Sequence, residues 1–288
     1  MSHFAVRAIS FLNRFGTLPR VQRVFARTPP GTLAERSLFG AIQVLDIGRS
    51  DAQRLLLVDG ERFVEERHLL RRLLSPGMTV VDVGANIGYY LLLAKQCCGT
   101  PSRVICIEPS QENLPELKAT IARNALSNVV LHEVALGDAD GEIGLRTGIN
   151  SGVVEGNGGE YRVPVRRLDR LVAEKVDFIK IDVEGFEGQV LSGAEALIAQ
   201  WRPVVFLELH PHITKRFGFS CRNILDSLGR HYSNIELFHK PQSRGIWEKL
   251  ALRYGLGDPV VPVADAAAYV ERHDRSDEPH TYWAVCRP

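Results

Sequence analysis

The sequence lacks a strong charge of either sign and any long apolar run. Its 288 residues carry a formal net charge of +1, so the chain as a whole has no electrostatic attraction to nucleic acid or to an anionic membrane. No apolar run reaches the roughly 18 residues that a membrane-spanning helix needs. We therefore expect neither a nucleic-acid partner nor stable membrane insertion, and nothing in the sequence indicates the oligomeric state.

Cysteine is scarce and irregularly spaced. The five cysteines are odd in number and form no C-x-x-C pair, so neither a disulfide framework nor a zinc site is indicated. Free thiols fit a reducing, cytoplasmic compartment best. We expect all five to be small buried hydrophobic side chains.

Acidic residues are absent from the first 31 residues, which carry five arginines. This composition is typical of an organelle transit peptide, of a helix lying on a membrane surface, or of a basic helix that packs on the domain or frays. The continuous apolar segment of a secretory signal is missing. We divide the chain into a basic N-terminal extension, residues 1–40, and one domain, residues 41–288, and leave the role of the extension open.

Apolar strand-like runs alternate with helical patterns over more than 100 residues. The runs are TVVDVG, RVICIEP, NVVLHEVALG, DFIKIDVEG and PVVFLELHP, and the intervening helices are IGYYLLLAKQC, QENLPELKATIARNAL and FEGQVLSGAEALIAQW. Continuous apolar strands are expected when helices cover both faces of a parallel sheet. The pattern predicts an α/β, Rossmann-like fold with a mostly parallel twisted sheet and helices on both faces.

Less regular segments flank this alternation. IQVLDI and RLLLVDG suggest two short strands, and VEERHLLRRLL suggests a helix that SPG ends. EIGLRT and EYRVPV predict an inserted β-hairpin with a flexible tip near residues 150–159. After residue 210 we expect the helix CRNILDSLGRHY and the strands IELFHK and TYWAVCRP.

The first strand of the alternation ends in D-V-G-A-N-I-G, which departs from the dinucleotide fingerprint G-x-G-x-x-G. Gly84 and Gly88 remain, but Asn86 occupies the position of the second glycine. Asparagine adopts positive φ at low cost, so the loop can still turn sharply. Asp82 precedes the turn, where a carboxylate would repel a pyrophosphate and favour a ligand that carries an ammonium group.

A second acid supports a nucleoside ligand. Glu108 ends the next strand, 20 residues beyond Gly88, where an acid hydrogen-bonds ribose hydroxyls. A nucleoside joined to an amino acid, which describes S-adenosylmethionine, fits these residues better than a dinucleotide. An NAD-linked oxidoreductase is the alternative.

Five motifs in order carry a family resemblance: D-V-G-A-N-I-G-Y-Y, I-E-P-S, A-L-G-D, D-F-I-K-I-D-V-E-G-F-E and L-E-L-H-P. Over roughly residues 55–212 the chain resembles the FkbM family of S-adenosylmethionine-dependent methyltransferases. The resemblance implies a class I methyltransferase that methylates a hydroxyl group of a carbohydrate (glycan or glycolipid) or of a natural product. The residues that it implies for methyl-donor binding are Asp82, Gly84, Ala85, Asn86, Gly88, Glu108, Pro109, Ser110, Ala135 and Leu136.

The insertion departs from the family pattern. Its serine-rich stretch is replaced here by N-S-G-V-V, residues 150–154. Substrate contacts of the family in this loop therefore do not carry over.

The reacting end requires a group that positions the acceptor and removes its proton. Lys180 and Asp182 share one face of the fourth strand, and Glu208 and His210 share one face of the fifth. The resemblance makes these strands neighbours. We take the four as candidate catalytic residues, with His210 as the neutral base.

Several alternatives stay open at the reacting end. An unpaired lysine inside an apolar strand is costly, so Lys180 is expected to pair with Glu208, Asp182 or Asp82 and can be purely structural. Asp182 can instead cap the turn, and His210 can cap the strand. Glu184 and Glu187 can serve the N-terminus of the next helix.

Metal and acceptor identity also stay open. A Mg²⁺ site from Asp182, Glu184 and Glu208 is conceivable, but the spacing does not require one. The acceptor atom can be other than a hydroxyl oxygen, and a non-catalytic partner protein is a further alternative. A local basic stretch is either solvated surface or a contact for an anionic acceptor; it comprises Arg162, Arg166, Arg167 and Arg170.

Overall fold

A computed structural model describes residues 25, 27–60, 64–147, 153, 159–240 and 260–288. The expected basic N-terminal helix and most of the expected flexible tip at 150–159 lie outside the described residues. The strands are β1 (Leu33–Leu38), β2 (Ala41–Asp46), β3 (Thr79–Val83), β4 (Arg103–Ile107), β5 (Val129–His132), β6 (Ala135–Leu136), β7 (Gly141–Leu145), β8 (Tyr161–Arg166), β9 (Phe178–Ile181), β10 (Val204–Leu209), β11 (Asn234–His239) and β12 (Tyr282–Arg287). The helices are α1 (Asp51–Asp59), α2 (Val64–Leu73), α3 (Tyr89–Cys98), α4 (Leu114–Arg123), α5 (Leu168–Leu171), α6 (Glu187–Ser192), α7 (Glu195–Trp201), α8 (Pro211–Thr214), α9 (Cys221–Gly229) and α10 (Ala266–Arg275).

A seven-stranded sheet in the order β11-β12-β10-β9-β3-β4-β5 forms the centre of the domain. The strand β12 runs antiparallel to both of its neighbours, and the remaining pairs are parallel. The chain order reverses between β3 and β9, which makes this the topological switch point where open α/β sheets bind ligands. The expected Rossmann-like α/β class is confirmed.

The inserted hairpin forms a smaller sheet of its own. The strand β7 pairs antiparallel with β8, and β6 pairs parallel with β8, in the order β6-β8-β7. The expected hairpin is therefore confirmed in its strands. The run NVVLHEVALG, expected to be one strand, is wrong in that respect, because it divides into β5 of the central sheet and β6 of this smaller sheet.

The two faces of the central sheet have separate apolar cores. Val81 and Ile179 point into one core, whereas Val80 and Phe178 point into the other. The second core contains the apolar stripe of α2 and residues of α3. By the strand period of two, Lys180 belongs to this second face, so its charged end lies on the side that α2 and α3 cover.

The expected strand RLLLVDG is wrong, because these residues belong to α1. The Ser50 side chain accepts a hydrogen bond from the Gln53 backbone at 3.1 Å and caps the start. Gly60, at φ 68°, closes the end. A short apolar run does not by itself distinguish a helix from a strand, and here the caps decide.

Two other helices differ from the sequence expectation. The helix expected over residues 186–201 is interrupted between α6 and α7 by Gly193, where a Cβ atom would lie 1.9 Å from the Gly137 carbonyl oxygen. The helix is interrupted where the backbone at Gly193 packs closely against the backbone at Gly137. This is a tertiary contact, so no local sequence pattern predicts it. Helix α10 was not expected, because its sequence follows the weakly patterned region after residue 210.

The hairpin of β1 and β2 crosses the expected domain boundary at residue 40, which falls in its turn. Gln43 of β2 is fully buried, and its amide donates to the Ile87 carbonyl at 2.7 Å and to the Thr120 hydroxyl at 3.0 Å. Because the hairpin is bonded to the glycine turn after β3, we propose that the domain starts at Leu33 or earlier.

The helices of the described residues include none that is both long and apolar enough to cross a bilayer.

We expect Gln43→Ala to lower the free energy of unfolding by about 1–3 kcal/mol, because the buried Ile87 carbonyl loses its side-chain donor and the Thr120 hydroxyl keeps only the Val44 amide. Urea denaturation followed by circular dichroism measures the change. The matched control is Gln200→Ala, at an exposed position of α7, which should stay within about 0.5 kcal/mol of the parent. Equal stability of the two variants would show that the hairpin is not anchored through Gln43.

Candidate active site

A cavity of about 350 Å³ opens at the carboxyl ends of the central strands. Its position at the switch point and its size are those of small-molecule sites. The donor-binding residues expected from the sequence that line it are Gly84, Ala85, Asn86, Glu108, Pro109, Ala135 and Leu136. Asp182 and Glu208 also line it, so two strands bring expected catalytic residues to the same cavity.

The turn after β3 depends on backbone that other residues cannot replace. Gly84 has φ +81°, and a Cβ atom there would lie 2.0 Å from the Asp182 carbonyl oxygen. The amides of Gly84 and Ala85 both donate to the Ile107 carbonyl, at 3.0 and 3.1 Å. Asn86 has φ 51°, which confirms that asparagine supports the sharp turn.

Glu108 is buried and links the loops that follow β3 and β4, where the methyl donor is expected to bind. Its carboxylate accepts from the backbone amides of Asn86 at 2.7 Å and Ser110 at 2.9 Å, and from the side chain of Asn113 at 3.2 Å. Burial raises the pKa of Glu108 to about 7, although these hydrogen bonds favour the ionised form. This carboxyl group lines the cavity and is therefore placed to accept ribose hydroxyls.

Three of the residues expected to bind the methyl donor do not line the cavity: Asp82, Gly88 and Ser110. Both carboxylate oxygens of Asp82 are buried without a hydrogen-bond partner among the described residues. Burial raises the pKa of Asp82 to about 6, with Lys180 acting in the opposite direction. Asp82 is thus placed beneath the glycine turn and beside Lys180, and a direct contact with a ligand ammonium group gains no support from this arrangement.

Lys180 is buried, at 2% exposure, and its ammonium group contacts a carboxylate and an aromatic ring. The Nζ atom lies 3.4 Å from Oδ2 of Asp182 and 4.4 Å from the centre of the Tyr90 ring. Burial lowers the pKa of Lys180, but the surrounding carboxylates, Asp182 first, raise it above its ordinary value. The expected pairing with Asp182 is confirmed, and Lys180 is a cation.

Glu208 is engaged by three donors. Lys240 and the His210 ring contact Oε1, the latter at 3.4 Å, and the Trp283 indole donates to Oε2 at 3.1 Å. Burial would raise the pKa of Glu208, but His210 and Lys240 together lower it well below its ordinary range. A carboxylate held this firmly in its ionised form is a poor acceptor for a substrate proton.

His210 is surrounded by carboxylates. Its Nδ1 atom lies 2.8 Å from Glu187, and Nε2 lies 3.4 Å from Glu208 and 3.5 Å from Glu184. Burial lowers the pKa of His210, but Glu187 and Glu208 raise it well above its ordinary value. These carboxylates favour the protonated ring, so the expected role of His210 as a neutral base gains no support here and stays a prediction.

Glu187 serves the helix N-terminus, as one of the sequence alternatives proposes. It stands at the first residue of α6, and its carboxylate accepts from the Gly185 amide, which precedes the helix, at 2.8 Å and from the Thr214 hydroxyl at 3.1 Å. Together with His210, these contacts fix the segments that follow β9 and β10.

The cavity includes residues that the sequence reasoning missed, among them Arg49, Ser50, Gln53, Glu66, Tyr90 and Lys240. One signal was available for Glu66. Glu66 occupies the first position of a helical stripe that continues with Leu69, Leu70 and Leu73 at i+3, i+4 and i+7. Such a stripe faces the core, and an acid is not expected in it. Lys240 directly follows β11, at the same sheet edge as the other site residues.

The basic stretch at residues 162–170 lies away from the cavity. Arg162 pairs with Glu142, Arg167 with Asp169, and Arg170 with Asp140. None of its four arginines lines the cavity, which favours the interpretation as solvated surface.

The charged side of the cavity, which includes Asp182, Glu208 and Lys240, does not fit a resident Mg²⁺. Ligand atoms of Asp182, Glu208 and His210 lie within 4.8 Å of one another. Mg²⁺ requires about six oxygen ligands in octahedral geometry, whereas here Lys180 and Lys240 already pair with Asp182 and Glu208. Those cations would repel a metal, so no step of the chemistry is assigned to one.

Most of the residues expected to bind the methyl donor line the other part of the cavity, which we call the donor half. The donor half fits S-adenosylmethionine better than the charged side fits Mg²⁺. Gly84 and Ala85 line the cavity with main chain and one methyl group, Glu108 supplies a carboxylate for ribose hydroxyls, and Ala135 and Leu136 supply an apolar surface suited to a base. A nucleoside that carries an amino acid can use all three.

We expect Gly84→Ala to lower the free energy of unfolding by at least about 2 kcal/mol, because a positive φ and an overlap with the Asp182 carbonyl act together. Gly141→Ala is the control: that glycine is exposed, and a Cβ atom there meets nothing within 4 Å. Thermal denaturation of both variants measures the difference. A Gly84→Ala protein as stable as the control would contradict the close approach.

Comparison with known proteins gave matches among solved structures, whereas a search of curated proteins found no significant match. The FkbM methyltransferase of Methylobacillus flagellatus is 22% identical, with a TM-score of 0.37, over 55% of this chain and 42% of that protein, so the chain spans less than half of its length. An S-adenosylmethionine-dependent O-methyltransferase of Thermotoga maritima is 13% identical, with a TM-score of 0.42, over 90% and 78% of the two chains. An rRNA methylase of Streptococcus thermophilus is 10% identical, with a TM-score of 0.42, over 77% and 93%.

The family itself follows from a match to the sequence. The model of the methyltransferase FkbM domain matches residues 82–235, which is more than half of the chain and includes the glycine turn, Glu108, Lys180, Asp182 and Glu208. The chain therefore belongs to the FkbM methyltransferase family.

Proposed function

We propose that this protein is an S-adenosylmethionine-dependent O-methyltransferase that acts on a hydroxyl group of a carbohydrate, in a glycan or glycolipid, or of a natural product. The observation that carries the proposal is that two acids line the same cavity: Glu108, which we expect to bind ribose, and Asp182. A donor site and a proton acceptor in one cavity are what methyl transfer to a weakly nucleophilic hydroxyl requires.

When bound, S-adenosylmethionine supplies a methyl group on a positively charged sulfur. The chain holds this donor through the ribose contacts of Glu108 and the main chain of Gly84 that lines the cavity. The loops are already fixed by the Glu108 hydrogen bonds to Asn86 and Ser110, so little ordering entropy remains to be lost on binding.

Asp182 is our candidate for the group that takes the acceptor proton. Its side chain is 27% exposed and faces the cavity, and Lys180 is the partner that fixes it, at 3.4 Å. The other expected candidates are less suitable, because Glu208 already binds Lys240 and Trp283, and carboxylates of Glu187 and Glu208 contact both nitrogens of the His210 ring. A base that is oriented but still accessible is the arrangement that proton transfer needs.

The remaining expectations also stand as proposals. A polar, charged wall of Glu66, Asp182, Glu208 and Lys240 supports a hydroxyl-rich acceptor over an apolar or nucleic-acid one. The free thiols, four of them buried, support a cytoplasmic location. An acceptor atom other than oxygen is the main alternative, and mass spectrometry of the methylated product distinguishes it.

We expect calorimetry to show binding of S-adenosylmethionine and none of NAD. Affinity should rise with pH through about 7, because the ionised form of Glu108 accepts ribose hydroxyls and its pKa is about 7 in the free protein. Between pH 8 and pH 6 the affinity should fall about tenfold, following the ionised fraction.

Glu108→Gln should weaken binding and flatten this pH profile. Glu133→Gln, at an exposed position, is the matched control and should behave as the parent. A pH profile that survives in Glu108→Gln would assign the titration to another group, and binding of NAD alone would overturn the donor assignment.

We expect Asp182→Asn to lower turnover by ~10²-fold or more while donor affinity stays within a few fold, because a general base typically contributes this factor. The assay follows tritium from methyl-labelled S-adenosylmethionine into methyl glycosides of glucose, mannose and galactose. Asp226→Asn, exposed on α9, is the control. Unchanged turnover would remove Asp182 from the mechanism, and no labelled glycoside with the parent protein would reject the carbohydrate acceptor.

A further inference from the structure

Glu66 of α2 is a buried acid with one carboxyl oxygen that the described residues leave without a partner. Its side chain is 1% exposed, and Oε1 has no hydrogen-bond partner within the described residues. A buried carboxyl oxygen left without a partner costs about 1–3 kcal/mol. An apolar residue would complete the stripe of Leu69, Leu70 and Leu73 without this penalty, so we expect this oxygen to gain a partner in another state of the protein.

The position of Glu66 shows what that state is. Glu66 lines the cavity together with Asp182, Glu208, Lys240 and Tyr90. It lies outside residues 82–235, the part matched by the family model, so membership in the family does not assign it a role. The cavity therefore has a polar wall contributed by a helix that precedes the family domain.

Glu66 and Asp182 both line the cavity, and both act on the Lys180 ammonium group. Among the carboxylates that raise the pKa of Lys180, Asp182 has the largest effect and Glu66 the next. One of these acids takes the acceptor proton in the proposed function, and the other has an oxygen without a partner among the described residues. Two acids that line one cavity suit an acceptor that presents two hydroxyl groups.

We propose that Glu66 binds the acceptor by hydrogen bonding a hydroxyl group adjacent to the one that Asp182 deprotonates, so that the preferred acceptor is a vicinal diol such as a pyranoside. This inference rests on the proposed function for the identity of the methylated group. It adds the acceptor class and a residue that selects it.

The protonation state of Glu66 is suited to this task. Burial raises the pKa of Glu66 to about 8, with Lys180 and Lys240 lowering it and Glu208 and Asp182 raising it. Burial and the adjacent Glu66 also raise the pKa of the Tyr90 hydroxyl well above its ordinary value. A carboxyl group accepts a hydrogen bond from a hydroxyl group when it is ionised and can also donate one when it is protonated, so either form can bind an acceptor hydroxyl.

The test compares Glu66→Gln and Glu66→Ala with Glu65→Gln, the neighbouring and more exposed position on α2. Acceptors are the methyl glycosides above and their monodeoxy analogues. With Glu66→Ala we expect KM for the best glycoside to rise at least tenfold, kcat to change by less than threefold, and the affinity for S-adenosylmethionine to stay within twofold. The parent should discriminate the glycoside from the analogue that lacks the adjacent hydroxyl, and Glu66→Ala should not.

Folding is followed separately by thermal denaturation, and Glu66→Leu, which completes the apolar stripe, provides a second variant that should be at least as stable as the parent. An unchanged KM and unchanged discrimination in folded variants would overturn the proposal. A purely structural role would change stability without changing the discrimination between the two acceptors.

An experiment that measures acceptor binding without methyl transfer distinguishes a failure of this inference from a failure of the proposed function. Saturation-transfer NMR of the S-adenosylhomocysteine-loaded protein measures glycoside binding directly. Binding that depends on Glu66, with no methyl transfer, would support the inference and reject the proposed function. Absence of glycoside binding by the parent protein would overturn both.

Discussion

The buried ammonium group of Lys180 is the interaction on which the active site depends. A lysine in the middle of a covered sheet is unfavourable unless opposite charge surrounds it. That charge comes from the same strand, from both neighbouring strands and from α2, through Asp182, Asp82, Glu208 and Glu66. Because the compensating acids must gather within reach of one atom, the carboxyl end of the sheet acquires a polar wall.

The cavity has two halves that are built in different ways. The donor half consists mainly of backbone, where Gly84 permits contact with the Asp182 carbonyl and Glu108 braces two loops. The other half consists of charged side chains from distant segments, including Lys240 and Glu66. Residue Asp182 joins them, since its carbonyl packs on the donor turn and its carboxylate faces the charged half.

Prediction from the sequence succeeded where the pattern was long or conformationally restricted. The alternation of strands and helices gave the fold class, and the positive φ of Asn86 followed from its residue type. It failed where short-range and tertiary effects compete. Residues 54–59 are helical because Ser50 and Gly60 cap the helix, and the pKa of His210 is raised because acids from two segments converge on its ring.

The sequence by itself determined the family, the sheet and the donor turn, because these depend on contiguous motifs with fixed periodicity and backbone preference. Only the tertiary structure decided which acid is available for chemistry. Asp182 and Glu208 look equivalent along the chain, yet Trp283 and Lys240, far away in sequence, occupy the second. The ionisation and accessibility of a buried group depend on neighbours from every packed element, and this information is not local in the sequence.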